Sequence, residues 1–195
     1  MVQVGERMVN PRTGQTMILR QTAADTNGAL LEIESYNEPD RLGEPEHIHP
    51  LQESSCDVLS GQLTFRIDGV ERVLRAGDTV TIPAGVPHRF WNSGDQVAHH
   101  LGAFRPALRT QQFFETWFGL ARDGKLNDKG MPSLLQLAVM VPAFGDEMRP
   151  TSPPWPLLRA LSWLLGPIAR LRGYRSIYPE YSDASPASSG SSGTR

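Results

Sequence analysis

The sequence predicts a mainly β barrel or sandwich followed by a C-terminal α-helical extension. Up to about Phe104, turn signals recur roughly every eight to twelve residues between short runs of β-branched and aliphatic side chains. Past Pro106 the apolar period changes from two to about 3.6, the helical value. At 195 residues, 39% of them hydrophobic, the chain can bury one sizeable core. The expected organisation is a barrel over 1–105, helices over 106–182 and a disordered Ser/Gly-rich tail over 183–195, which has almost nothing to bury.

Strands are expected over 16–22, 29–36, 63–67, 70–74 and 79–82. The clearest hairpin runs from Gln62 to Leu74: Leu63, Phe65 and Ile67 alternate with Thr64, Arg66 and Asp68, and Asp68-Gly69 supplies a tight turn. Helices are expected over 110–122, 134–141 and 157–171, with Gly119 and Gly166-Pro167 as local weak points. Phe113, Phe114, Trp117, Phe118 and Leu120 make the first apolar enough to cover a sheet face or close a barrel mouth. In the third, Leu157, Leu158, Leu161, Leu164, Leu165, Ile168 and Leu171 fall towards one side, with Arg159, Ser162 and Arg170 near the other. This helix is expected to pack on the barrel or on a second subunit. The alternative is peripheral contact of 155–175 with an anionic membrane, which Trp155, Trp163 and the arginines permit.

Nineteen basic against twenty-one acidic residues, a formal net charge of -2, argue against nucleic acid as a partner held over the whole surface. Cys56 is the lone cysteine and cannot form an internal disulfide, and the opening MVQVGERMVN is polar where a secretory leader needs an apolar run. A cytoplasmic setting is the expectation. No uninterrupted apolar stretch is long enough for a spanning helix. Neither a nucleophile elbow nor a phosphate-cradling glycine loop is present, which disfavours hydrolysis through a serine acyl-enzyme.

The five histidines stand at 47, 49, 88, 99 and 100. On an extended strand His47 and His49 project to the same side, so both can reach one ion. His88 follows a Pro/Gly turn in a separate segment, and a divalent cation needs ligands from at least two such elements. These segments resemble the paired motifs of the cupin superfamily. The second motif, G-x5-P-x-G-x2-H-x3-N, is matched by Gly77, Pro83, Gly85, His88 and Asn92. His47, His49 and Gly61 fit the first, while Gly43 stands three residues before His47, where five are usual.

The resemblance covers roughly residues 31–104 and implies a double-stranded β-helix, or jelly-roll, barrel holding one divalent metal. It carries the ligand role to His47, His49 and His88. The glutamate departs from the pattern, since counting back seven from Gly61 lands on Ser54, whereas Glu53 fits the forward spacing from His49. Two arrangements follow: a bulge turns Glu53 inward as a fourth ligand, or the site has three histidines with open positions. Iron(II), manganese, zinc, nickel and copper all suit such donors. Three neutral imidazoles leave the ion its full double charge and favour chelating enolates, diketones or catechol-like groups.

The implied activity is that of a dioxygenase, or of an isomerase, lyase or cyclase, acting on a small oxygenated molecule, with an interior base to move a proton. The alternative is a non-catalytic binding or sensing barrel. A homodimer is expected by analogy with the family. One of the adjacent His99 and His100 should face the interior and the other should not. Tyr36 reads as a rim residue or a substrate contact, Cys56 as a buried small hydrophobe, and Phe90 and Trp91 as barrel walls. Asp68 and Asp78 read as turn formers.

Overall fold

The computed structural model describes residues 1–40 and 43–182, so the expected tail lies outside the described residues. The strands are β1 (Arg7–Val9), β2 (Thr16–Gln21), β3 (Leu31–Asn37), β4 (His47–Ile48), β5 (Glu53–Ser60), β6 (Gln62–Ile67), β7 (Val70–Arg75), β8 (Thr79–Ile82), β9 (His88–Trp91), β10 (Ala98–Arg105) and β11 (Arg149–Pro150). The helices are α1 (Thr110–Arg122), α2 (Leu134–Ala143) and α3 (Trp155–Leu171).

A six-stranded sheet, ordered β1-β2-β3-β10-β5-β8, faces a five-stranded one, ordered β11-β4-β9-β6-β7, and their pairings are antiparallel. The molecule is thus the expected jelly roll with a C-terminal helical extension.

Local chemistry explains the turns. Asp68 and Gly69 both have positive φ, 47° and 77°, as a two-residue turn between right-twisted strands requires, and β6 pairs with β7 in unbroken register. Gly61 joins β5 to β6 at φ 73°, and a Cβ there would stand 2.8 Å from the Val97 carbonyl oxygen, so only glycine fits.

The apolar interior divides into three clusters. Cys56, Val58, Leu63, Phe65, Val80, Ile82 and Ala98 fill one part of the barrel. Met8, Met17, Leu19, Leu31 and Ile33 pack against Phe118, with Phe114 and Trp117 beside them, so α1 does cover a sheet face. Phe113, Leu120, Met140, Phe144, Tyr178 and Tyr181 join α1, α2 and the last described residues.

Two buried polar side chains pin the extension to the barrel. The Gln52 amide donates to the Pro106 carbonyl at 2.7 Å and to Thr110 Oγ1 at 2.8 Å, fixing the start of α1. Glu115 accepts from the Val2 amide at 2.8 Å and from the Ser182 hydroxyl at 2.5 Å, so α1 holds both ends of the described chain.

Gly119, a weak helix former in isolation, sits inside α1 because Tyr181 lies across it. A Cβ at 119 would run into the Tyr181 ring. Gly119→Ala is therefore expected to destabilise the protein by about 1–3 kcal/mol despite alanine's better helix propensity. Urea unfolding checks this, and a stabilised variant would show that the tyrosine can move aside.

The third helix departs from expectation. It packs on α2 through a face containing Ser162, Gly166 and Ala169, and the large side chains of Leu157, Trp163, Leu164, Ile168 and Leu171 point to solvent. The leucines fall within less than half of its circumference, half-buried at 158, 161 and 165 and exposed at 157, 164 and 171, while the small residues let the two helix backbones approach closely. The apolar stripe is thus not the buried one.

Candidate metal centre

His47 opens β4 and His88 opens β9, and the two are directly opposed in the antiparallel pairing. Directly opposed side chains on one sheet face lie close together, while His49, two residues beyond His47, returns to the same side. The three rings converge, with centroids 4.5 Å apart for 47 and 88, 5.0 Å for 47 and 49, and 5.1 Å for 49 and 88. One ligand nitrogen from each lies within 4.8 Å of the others.

Backbone carbonyls fix the tautomers. His47 Nδ1 donates to the Pro45 carbonyl at 2.9 Å, His88 Nδ1 to the Val86 carbonyl at 2.9 Å, and His49 Nδ1 to the Glu147 carbonyl at 2.6 Å. A carbonyl oxygen has no proton to give, so each Nδ1 carries the hydrogen and each Nε2 keeps its lone pair. Burial lowers the pKa of all three, that of His49 to about 3, and so holds the rings neutral. Neutral, pre-oriented imidazoles are the donor set a divalent transition metal needs.

The acceptor for His49 comes from the extension, which sequence reasoning did not anticipate. Glu147 is buried, its Oε1 accepting from the Arg109 backbone amide at 3.2 Å and from Nε at 3.1 Å. Next to it β11 pairs with β4, setting Pro150 against His47. No periodic signal marks a two-residue strand in the loop after α2, and a main-chain acceptor leaves no trace in residue identity.

The structure does not bring Glu53 to this cluster. Glu53 is exposed at the start of β5, opposite Arg105. Ser54, one residue on, is buried and lines the cavity. The register irregularity in the β5–β10 pairing falls near His99 and His100, at the other end of β5, so it leaves the orientation at 53 and 54 unchanged.

The histidines open into a cavity of about 330 Å³, within the size range of small-molecule sites. Its wall is largely apolar, with Ile33, Cys56, Phe65, Phe90 and Phe104 from the barrel and Phe113, Phe114, Trp117, Met140 and Phe144 from the helices. Phe90 and Trp91 are wall residues, as expected, and Cys56 is buried with its thiol pushed up to about 12. Glu44, missed from the sequence, also lines the cavity, and burial pushes its carboxyl up to about 7.

The residues around the site separate cleanly. His99 faces outward, stacked on Tyr36 at 4.3 Å and bonded through Nε2 to Glu34 at 2.6 Å. Tyr36 donates to the same Glu34 at 2.7 Å, and hydrogen bonds from Tyr36, Arg20 and His99 hold that carboxyl at about 2. His100 is buried against Phe90, its pKa lowered to about 4 by burial. Asn92 is structural: its amide donates to the Asn37 and Gln96 carbonyls and its oxygen accepts from Gly94. Asp78 accepts from the Arg75 amide, the turn role read from sequence.

An oxidoreductase of Arthrobotrys oligospora is 34% identical over 70% of this chain and 58% of its own length. A Penicillium expansum protein named "Probable oxidoreductase patJ" is 30% identical over 89% and 57%. The epoxidase atD of Aspergillus terreus is 29% identical over 88% and 58%. The chain thus spans 57–58% of the length of these three relatives. Residues 37–103, which hold both histidine segments, match the family model of the cupin domain.

Proposed function

We propose that this chain is a metal-dependent enzyme of oxidoreductase type, holding one divalent ion on Nε2 of His47, His49 and His88. The ion is drawn from iron(II), manganese, zinc or nickel. The convergence of three buried imidazoles with every Nδ1 tied to a carbonyl carries this reading. The oxidoreductase and epoxidase names of the relatives favour oxidation over isomerisation or elimination.

When bound, such an ion polarises a substrate oxygen or activates dioxygen. The rest falls to the chain. The aromatic wall binds an apolar body and excludes water, while the open face of the histidine triad receives a chelating oxygen group. The substrate is accordingly a small, mostly apolar molecule carrying enolate, diketone or catechol-like oxygens.

Metal analysis followed by oxygen uptake, with iron restored anaerobically, tests the proposal. Stoichiometric metal with substrate-dependent oxygen consumption is expected. Tight metal without consumption across diketone, catechol-like and thiol substrates would favour a redox-neutral enzyme or a binding barrel.

The ligand count has its own test. Because Glu53 is exposed and outside the triad, Glu53→Gln should retain metal affinity within about twofold. A loss of about tenfold or more, read by titration with a competing chelator, would make it a fourth ligand.

A further inference from the structure

The outward face of α3 is apolar along its length. Leu157, Ala160, Leu164, Ile168 and Leu171 recur at helical spacing, with Trp163 and Pro167 beside them. Trp163 is 83% exposed and Leu171 89% exposed, whereas the opposite face is closed against α2. Solvent-facing leucines and a tryptophan in one stripe mark a contact surface rather than ordinary surface scatter.

Charge identifies the occupant. Between Trp155 and Tyr178 the chain carries Arg159, Arg170, Arg172 and Arg175 and no acidic residue. All four arginines are exposed, and none is ion-paired among the described residues. On the helical wheel Arg159 and Arg170 border the apolar face on one flank. A second copy docked antiparallel through this face by two-fold symmetry would bring like-charged rims together, and one docked parallel would offer the arginines no acid from its own α3. Residues 184–195 have no large apolar side chain with which to cover it.

An anionic bilayer meets both demands, accepting tryptophan and leucine at the acyl boundary and arginine among the headgroups. No helix among the described residues is long and apolar enough to cross a membrane, so the contact is superficial. We propose that the outer face of α3 docks on an anionic lipid surface, lying in its plane with Trp163, Leu164 and Leu171 inserted. This assignment is independent of the metal and of catalysis.

The test is co-sedimentation of the full chain with phosphatidylcholine vesicles that contain or lack phosphatidylglycerol. Binding to the anionic vesicles is expected, weakened by salt, with a blue shift of tryptophan emission that Trp163→Phe removes. The double change Leu164→Ser with Leu171→Ser should weaken binding about tenfold or more while leaving the melting temperature within a few degrees, since both side chains are exposed. Absence of anionic vesicle binding would overturn the proposal, as would binding indifferent to the double change. Sedimentation velocity supplies a third outcome: a dimer that the same variant dissociates would assign the face to a second copy instead.

Discussion

Replacing His88 by alanine is expected to lower divalent-metal affinity by more than about 100-fold while the barrel stays folded. Even an outer-shell partner of a metal ligand typically contributes about 10–100-fold, and His88 is read as a direct donor. It is the candidate ligand that β9 presents across the sheet from His47, so its loss leaves two donors from one short segment. Two imidazoles on one segment cannot enclose an ion.

The fold should survive, because His88 contributes only a ring at the cavity and one hydrogen bond to the Val86 carbonyl. The measurements are metal content after dialysis and the circular dichroism of the variant. Full metal content in a folded His88→Ala protein would remove this residue from the ligand set.

The metal-free protein should lose stability steeply as pH falls below about 6.5. His47, His49, His88 and His100 all have their pKa lowered by burial, His49 to about 3 and His100 to about 4. Above about pH 6.5 each ring is neutral in both the folded and unfolded chain and contributes no pH dependence. Below it the unfolded chain takes up protons that the folded one refuses. Stability then falls by about 1.4 kcal/mol per pH unit for each such histidine, until the pH reaches that group's folded value.

His100 isolates the effect, since it lies outside the triad, is buried against Phe90 and leaves Nδ1 without a partner among the described residues. For it the window runs from about pH 6.5 down to about 4, an integrated loss of roughly 3 kcal/mol. His100→Leu should flatten the stability curve over that window by about one proton's worth of slope. Chemical denaturation at a series of pH values reads this directly. An unchanged slope would mean that His100 titrates alike in both states.

Much of this architecture is legible in the residues. The Asp68-Gly69 hairpin and the bounds of α1 follow from short-range pattern, and the convergence of both histidine segments follows from the resemblance of their motifs to a known family. What the residues leave open shares a cause, for each point depends on what lies across space. Glu53 and Ser54 differ by one step of strand parity, and only the register with β10 decides which faces inward. For α3, leucines at 158, 161 and 165 and those at 157, 164 and 171 compete for the same buried side, and the small residues facing α2 settle it. Gln52, with neither charge nor motif to flag it, acts through carbonyls more than fifty residues away.

The bond from His49 to the Glu147 carbonyl makes the extension and the candidate metal centre a single thermodynamic unit. An ion gripped by His49 would clamp the turn after α2, and anything that frees that turn must loosen the ion by an equal free energy. The helical segment then acts as a clasp, and cutting the chain after the barrel would discard the acceptor that orients His49 along with the wall of the cavity.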